Sequence, residues 1–341
     1  MEIGNQIKAL RLRRGITQEA MAKHFGITAQ AVSKWERGVA TPDISMLPEI
    51  SAYFGVTIDE LFALSDNTRM ERIQNMLWDV RFLNPADAEN EKQFLLEKAK
   101  REPENGAPYT LLAELETHLA QEHNEIAAGY AKDALMRDSE SWDALSKLVL
   151  SMGGKVHDWN CCNHYKLINY CKKFVTDHPE NWHGYLFLLD QLIDDYRLDE
   201  AKIYCEKLAA INKTYRVPLY QGMIAWQEGL REEAFGIWKE MEKDFPEEWC
   251  VWHNIGDFLV RSGRMDEGMT YYRKALEVQK APRLLDPCDA MAQLCEIRGD
   301  HVGAIAARKE QLKLTEKEWN ITEGETVDFI HREIARLEKK C

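Results

Sequence analysis

The sequence predicts an all-α protein in two parts, a compact module of five short helices followed by a long array of paired helices. Two observations favour this fold class. Apolar residues recur at helical spacing, and the pattern changes near Ser65 from short, closely capped helices to long amphipathic ones. We therefore expect a domain at residues 1–64, linker helices at 65–100, and helical repeats with a C-terminal capping helix at 101–341.

The composition is typical of a globular protein. Hydrophobic residues make up 45% of the 341 residues and charged residues 30%, which argues against a disordered chain. No apolar run approaches the roughly eighteen residues of a membrane span. The first residues also lack the apolar core of a signal peptide. We expect a cytoplasmic protein that has no membrane association.

The formal net charge of -13 is unevenly distributed along the chain. Residues 1–64 contain seven basic and seven acidic side chains, so the whole excess of acid lies in the remainder. Within residues 8–37, seven basic side chains face only two acidic ones. A basic face on the N-terminal module is therefore compatible with the acidic net charge.

The five short helices are predicted from apolar spacing and from capping residues. The first contains Ile3, Ile7 and Leu10 at helical steps and stops at Gly15. Thr17 is a candidate N-cap of the second helix, because its hydroxyl can accept a bond from a free backbone amide. The other predicted helices run from Thr28 to Gly38, from Ile44 to Phe54, and over a short segment capped by Thr57.

The segment "TQEAMAKHFGITAQAVSKWERG" has the pattern of a helix-turn-helix motif. Ala22 is small where two helices must cross, and Gly26 can adopt the positive φ of a tight turn. Val32 and Trp35, three residues apart, are expected to pack inward. With their flanking helices, these residues resemble the xenobiotic-response-element-type, or phage-repressor-like, DNA-binding domains. The resemblance covers residues 3–64 and implies a lambda-repressor-like fold that binds double-stranded DNA.

In that family, the second helix of the motif lies in the major groove and the first contacts the DNA backbone. The resemblance implies that Gln18 bonds a phosphate. It also implies that Gln30 reads adenine, that Lys34 reads guanine and that the Ala29 methyl meets a thymine methyl. A glutamine–lysine face is also typical of a merely solvated helix. The candidate DNA-binding residues are Gln18, Thr28, Ala29, Gln30, Ser33, Lys34 and Arg37.

Other charged residues of the module have predicted roles. Lys8, Arg14 and Arg37 are phosphate candidates, which position a protein without specifying a sequence. Arg37 has an alternative role in stabilising the C-terminus of its helix. Glu36 resembles the family's buried partner of a first-helix arginine, which is Arg11 here. Two alternatives also stay open, namely that Gln18 is an ordinary first-turn residue and that Ser33 contacts phosphate.

The remainder of the chain contains an internal repeat. "GLREEAFGIW" begins at Gly229 and "GRMDEGMTYY" at Gly263, a spacing of 34 residues. In the second copy, the small Gly256 and Gly268 would let helices approach while the large Tyr272 fills the gap. These segments resemble tetratricopeptide repeats over roughly residues 100–315. The resemblance implies a superhelix of stacked helix pairs with a concave face.

The cysteines are predicted to be free thiols of the core. Cys161, Cys162 and Cys171 lie close in sequence to two histidines, but the group lacks the paired spacing of zinc sites. The repeat register places Cys205 where the last clear copy has Tyr272, on a packing position. We therefore expect no metal and no cofactor.

The repeat register also predicts which side chains face the concave side. Their mixed charge and an exposed tryptophan suit a peptide or a protein segment, whereas solvation or packing against a neighbouring helix is the alternative. The candidate ligand-binding residues are His183, Asp190, Asp194, Arg216, Met223, Trp226, His253, Asp257 and Arg261.

The combined architecture resembles the peptide-responsive quorum regulators of the Rgg/PlcR type. That resemblance, which is architectural, implies a peptide ligand and a homodimer. We expect a transcriptional regulator, and the competing interpretation is a protein-interaction scaffold with weak DNA binding. An enzyme is not expected, because no nucleophile–base pair or phosphate loop is evident. In the linker, the stripe of Ile73, Met76, Leu77 and Val80 is assigned to domain packing in preference to a hinge or a dimer contact.

Overall fold

A computed structural model of the chain describes residues 3–62, 66–154 and 164–341. Over these residues the regular secondary structure is helical, which confirms the all-α class. None of the described helices is both long and apolar enough to span a lipid bilayer. The chain divides into two compact units, Met1–His123 and Asn124–Cys341. The predicted boundaries at residues 64 and 100 stay predictions.

The first unit begins with the five expected helices. Thr17 and Thr28 accept backbone bonds from Ala20 (3.1 Å) and Ala31 (3.2 Å), so both are the predicted N-caps. The helices are α1 (Ile3–Arg13), α2 (Gln18–His24), α3 (Ala29–Glu36), α4 (Leu47–Phe54) and α5 (Ile58–Phe62).

The fourth helix begins later than its apolar pattern predicts. Residues Ile44–Met46 form a 3-10 turn, and the α-helix starts only at Leu47. Asp43 explains the turn, because its carboxylate accepts a bond from the Ser45 amide at 2.9 Å. Pro48 then occupies the first turn of α4, where its missing N–H costs no hydrogen bond.

Three longer helices follow in the chain: α6 (Asp66–Asp79), α7 (Pro85–Arg101) and α8 (Ala107–Arg137). Ile73 is buried in a small core with Leu95, and Met76 and Leu77 pack against its edge. Packing therefore accounts for three residues of the predicted stripe. Val80, by contrast, is 38% exposed and lies outside that core.

The second unit is built from antiparallel helix pairs. Successive helices pack against each other from α10 to α19, so the apolar residues form a continuous series of cores. The helices are α9 (Trp142–Ser151), α10 (Tyr165–Asp177), α11 (Trp182–Asp194), α12 (Leu198–Ile211), α13 (Arg216–Gln227), α14 (Arg231–Asp244), α15 (Trp249–Arg261), α16 (Met265–Glu277), α17 (Asp286–Ile297), α18 (His301–Glu318) and α19 (Glu325–Glu338).

Small residues set the distances between these helices, as predicted. A Cβ on Gly256 would lie 2.8 Å from the ring of Tyr272. A Cβ on Gly222 would lie 2.0 Å from Nε1 of Trp238, which is fully buried. Such approaches are impossible for any side chain without displacement. The large rings therefore fill space that the glycines leave free.

Four of the six described cysteines are buried, as the core interpretation predicts, whereas Cys250 is half-buried and Cys341 is exposed. Cys171, Cys205 and Cys288 are buried, and burial raises the pKa of the Cys205 thiol to about 11 and that of Cys288 to about 12. Such thiols stay protonated and unreactive at neutral pH. Cys161 and Cys162 lie outside the described residues, and elsewhere no three potential metal ligands cluster.

Candidate functional site

Helix α3 is fixed to the module by its inner face. Val32 is fully buried and Trp35 is 6% exposed in the core of residues 3–62. On α1, Gly4 lies directly against the backbone of α3, since a Cβ there would be only 1.8 Å from the Trp35 carbonyl oxygen. The two helices therefore cross in backbone contact, which leaves α3 little freedom to tilt.

A buried ion pair links α1 to the end of α3, as predicted. Arg11 donates to both carboxylate oxygens of Glu36, through Nε at 2.6 Å and Nη2 at 3.0 Å. A third bond runs from Arg11 to the carbonyl of Ile16 at 2.7 Å. Burial alone would raise the pKa of the Glu36 carboxyl, but bonds from Arg11 and Gln18 outweigh it and hold that pKa below its ordinary value.

Gln18 belongs to the same network. Its Nε2 donates to Oε2 of Glu36 at 2.8 Å, so the first residue of α2 is tied to the last residue of α3. The side chain is half-buried. Sequence reasoning missed this bond and proposed only a phosphate contact or an ordinary first-turn residue. The phosphate contact stays a prediction.

The outer face of α3 carries three exposed polar side chains, namely Gln30, Lys34 and Arg37. Arg37 also donates through Nε to the Ser33 carbonyl at 3.3 Å, so it closes the helix end in the free protein. Ala29 is half-buried and packs against the core. The exposed polar surface is therefore narrower than the predicted set of candidates.

Two other candidates have roles within the fold. Thr28 caps α3 and remains exposed. Arg14 donates to the Tyr53 carbonyl and lies over the Phe54 ring at 5.6 Å, so it caps the C-terminus of α4. The sequence-based assignment of Arg14 to a phosphate overlooked this partner, which is distant in sequence. Lys8 is exposed, as a phosphate contact requires.

In the second unit, two predicted ligand residues come together in one cavity. His253 and Asp257 lie one turn apart on α15 and line a space of about 540 Å³. This volume is typical of small-ligand sites. The opposite wall comes from α17 and α18 and includes Asp286, Asp289 and Gln311. We refer to this space as the α15–α18 cavity.

A second group of candidates lies on α11 and α13. The Tyr220 hydroxyl donates to Asp190 at 2.7 Å. Arg216 stacks over the Trp182 ring at 4.6 Å, and His183 stacks on the same ring system at 3.6 Å. These side chains thus have partners within the fold, unlike freely solvated residues.

The expectation that Trp226 is exposed is wrong. The ring is half-buried and packs in an aromatic cluster with Trp238 (6.2 Å) and Phe258 (5.3 Å). Arg261 is exposed and lies over Phe258 at 5.3 Å. Repeat register predicts the face of a residue, but the depth of Trp226 depends on rings from neighbouring helices.

Comparison with known proteins addresses the N-terminal module directly. A family model described as helix-turn-helix matches residues 7–61. The transcriptional activator BcrR of Enterococcus faecalis is 35% identical over 75 residues, which is 22% of this chain and 37% of BcrR. The uncharacterized helix-turn-helix transcriptional regulator MJ0272 of Methanocaldococcus jannaschii is 32% identical over 63 residues, 18% of this chain and 96% of MJ0272. The chain belongs to the helix-turn-helix transcriptional regulators.

A tetratricopeptide repeat model matches residues 251–282 of the chain. A tetratricopeptide repeat protein from Parabacteroides merdae matches over 80% of this chain and 98% of its own, at 14% identity and a TM-score of 0.40. PlcR of Bacillus thuringiensis, solved with the peptide PapR7 and DNA, matches over 90% of this chain and 98% of its own chain. The identity is 13% and the TM-score is 0.28. At these scores, neither structural likeness bears on function.

Sequence reasoning missed the acidic wall of the α15–α18 cavity. One repeat of 34 residues after Asp257 falls at Met291, which is two residues from Asp289. Two helical steps turn a side chain to nearly the opposite face, so the register contained no signal for Asp289. Gly4 carried no signal either, because its contact with Trp35 depends on how α1 crosses α3.

Proposed function

We propose that this chain is a sequence-specific DNA-binding transcriptional regulator whose helix α3 reads base edges in the major groove. One observation carries the proposal. Gln30 and Lys34 lie one turn apart on the exposed face of a helix whose opposite face is locked by Val32 and Trp35. Rigid presentation matters, because base recognition requires hydrogen bonds in fixed positions.

The side chains of this face match the chemistry of base edges. The Gln30 amide can pair with N6 and N7 of adenine, while the Lys34 ammonium can donate to O6 or N7 of guanine. Arg37 supplies a positive charge beside them for the phosphate backbone. Gln18, which is held by Glu36, would contact a phosphate through its remaining amide hydrogen.

The test is operator binding by a double variant. Intact protein is first used to select duplexes from a random-sequence DNA library. We expect Gln30→Ala with Lys34→Ala to lose preference for the selected duplexes by at least about tenfold, since each good base contact discriminates by about 1–3 kcal/mol. Thermal unfolding should not change, because both side chains are exposed.

A matched control removes the same side-chain types elsewhere. Lys173→Ala with Gln221→Ala alters two exposed positions of the repeats and should leave the selected duplexes tightly bound. Retained preference in the α3 variant would refute the assignment of the reading helix. Failure of the intact protein to enrich any sequence would favour the scaffold interpretation.

The repeats form the second half of the proposal. They bind a peptide or protein segment, subunits pair as a homodimer, and the protein works in the cytoplasm. The α15–α18 cavity supports a ligand, because it places His253 and Asp257 around an open space. Native mass spectrometry of protein purified from its own host should show a dimer with bound peptide. A bare monomer that co-purifies with nothing would contradict this half.

A further inference from the structure

The α15–α18 cavity has an acidic wall beside an apolar one. Carboxylates of Asp257, Asp286 and Asp289 face it, and its described lining contains neither lysine nor arginine. Like charges that line one cavity repel one another, and a cation between them removes that cost. The wall is therefore electrostatically suited to a positively charged group.

Hydrogen bonds and ion pairs within the protein satisfy only some of the carboxylates in this wall. Asp289 accepts from Gln293 at 2.5 Å and from the buried Arg308, so one of the three carboxylates is neutralised. Asp257 accepts one bond, from the Tyr272 hydroxyl at 2.7 Å. Asp286 is exposed at the rim and has no ion-pair partner among the described residues.

His253 lines the same cavity and, within the described residues, has one unpartnered ring nitrogen. Nδ1 of His253 is fully buried and has no hydrogen-bond partner in the part of the chain that the structure describes. This nitrogen has almost no accessible surface, so His253 meets the cavity through the rest of its half-buried ring.

Much of the remaining lining is apolar, although Tyr272, Gln293 and Gln311 also contribute to it. Val260, Leu285 and Leu294 form part of the wall beside the carboxylates, together with Ala290. Such a surface suits the methylene stem of a long side chain, whose charged head would lie at the carboxylates. A ligand group that fits the whole cavity therefore combines an apolar stem with a cationic head that donates several hydrogen bonds.

We propose that the α15–α18 cavity binds an arginine or lysine side chain of the peptide ligand. The methylene stem packs on Val260 and Leu294, and the cationic head donates to Asp257 and to Asp286. This inference rests on the proposed function, since it names the chemistry of the peptide that the repeats recognise.

The test uses defined probes on the full chain. The acetylated and amidated tripeptide leucine-arginine-leucine is compared with versions in which lysine or citrulline replaces arginine. Citrulline has almost the same shape as arginine but no charge. By calorimetry, we expect the arginine or the lysine peptide to bind at least about tenfold more tightly than the citrulline peptide, as charge-assisted bonds require.

A double variant tests the same contacts from the protein side. Asp257→Asn with Asp286→Asn keeps the shape of the wall and should abolish the preference for charge. Glu247→Gln removes one carboxylate from an exposed turn that does not line the cavity, so it should change nothing. Melting curves of the three proteins establish that each is folded.

Two results would overturn the inference. One is equal binding of the citrulline and cationic peptides, and the other is no measurable binding of any of the three. Neither decides the proposed function, because DNA binding is scored by selection from the random library and peptide binding by native mass spectrometry of the protein from its host. A peptide that co-purifies from the host and lacks arginine and lysine would likewise defeat the inference and leave peptide recognition intact.

Discussion

The N-terminal module and the helical repeats are stabilised in different ways. In residues 3–62, one polar network joins α1, α2 and α3 through Arg11, Glu36 and Gln18. In the repeats, glycine–ring contacts such as Gly222 with Trp238 recur from one helix pair to the next. The module therefore depends on a few contacts without substitutes, whereas the repeats add up the energies of neighbouring pairs.

The largest expected loss of stability comes from a substitution in the repeats. Trp238→Ala should destabilise them by about 4 kcal/mol, because a fully buried ring leaves a cavity when it is removed. Amide hydrogen exchange measured by mass spectrometry should show that α11–α16 lose protection, whereas the protection of α1–α5 should not change. Trp142→Ala is the control, since that ring is 69% exposed and its removal should cost little. An equal loss of protection in α1–α5 would contradict the view that the N-terminal module and the repeats unfold independently.

The next effect tests the module. Glu36→Ala should cost about 3 kcal/mol, because it leaves the buried Arg11 charge without its partner. Exchange should then rise throughout α1–α5 and not in the repeats. Glu49→Ala, at an exposed position of α4, is the matched control. Unchanged protection in the Glu36 variant would show that the network is dispensable.

The same ion pair predicts a pH dependence. The pKa of Glu36 is lowered in the folded module, so the pair stabilises fully above the ordinary glutamate value of about 4.3. This stabilisation is lost as the pH falls through the folded value. Protection of α1–α5 should therefore decrease more steeply on acidification in the parent protein than in Glu36→Ala. Parallel pH profiles would argue against the pair as the cause.

Much of the architecture could be predicted because its signals are local. Thr17 and Thr28 cap the helices that they precede, and the inward-facing Val32 and Trp35 follow from helical spacing. The bond between Gln18 and Glu36 joins residues eighteen positions apart, and no local pattern encodes it.

The candidate sites were predicted with uneven success for the same reason. Gln30 and Lys34 are exposed as the motif predicts, since the register of one helix decides their direction. Trp226 is half-buried because Trp238 and Phe258, from two other helices, surround it. Residues whose environment comes from several helices need the tertiary structure.

A smaller effect concerns close packing in the module. Gly4→Ala should cost about 2 kcal/mol, since the new methyl group would overlap the Trp35 carbonyl and push α1 away from α3. Gly236→Ala in α14 meets nothing within 4 Å and should instead stabilise by about 0.5–1 kcal/mol. Urea unfolding, monitored by hydrogen exchange, measures the free energy of unfolding of both variants. Equal tolerance of both changes would contradict the backbone contact between α1 and α3.

The smallest expected effect has the opposite pH sign and lies in the repeats. Burial raises the pKa of Asp190, the Tyr220 bond partly offsets this, and the Asp194 charge adds to it. Folded protein thus holds the Asp190 proton more tightly than unfolded protein does. Stability from this group is therefore highest below the ordinary aspartate value of about 3.9 and is lost as the pH rises through the folded value.

Asp190→Asn isolates that contribution, because the amide oxygen can still accept the Tyr220 hydroxyl bond. We expect the variant to gain roughly 0.5 kcal/mol at neutral pH, the usual scale for a change that preserves packing, and to gain nothing at pH values below about 3.9. The melting temperatures of variant and parent across this range measure the difference. A gain that does not depend on pH would assign the effect to something other than the charge. A pH-dependent gain would show that acidification relieves the repeats at Asp190, which is the opposite of the effect expected in the module through Glu36.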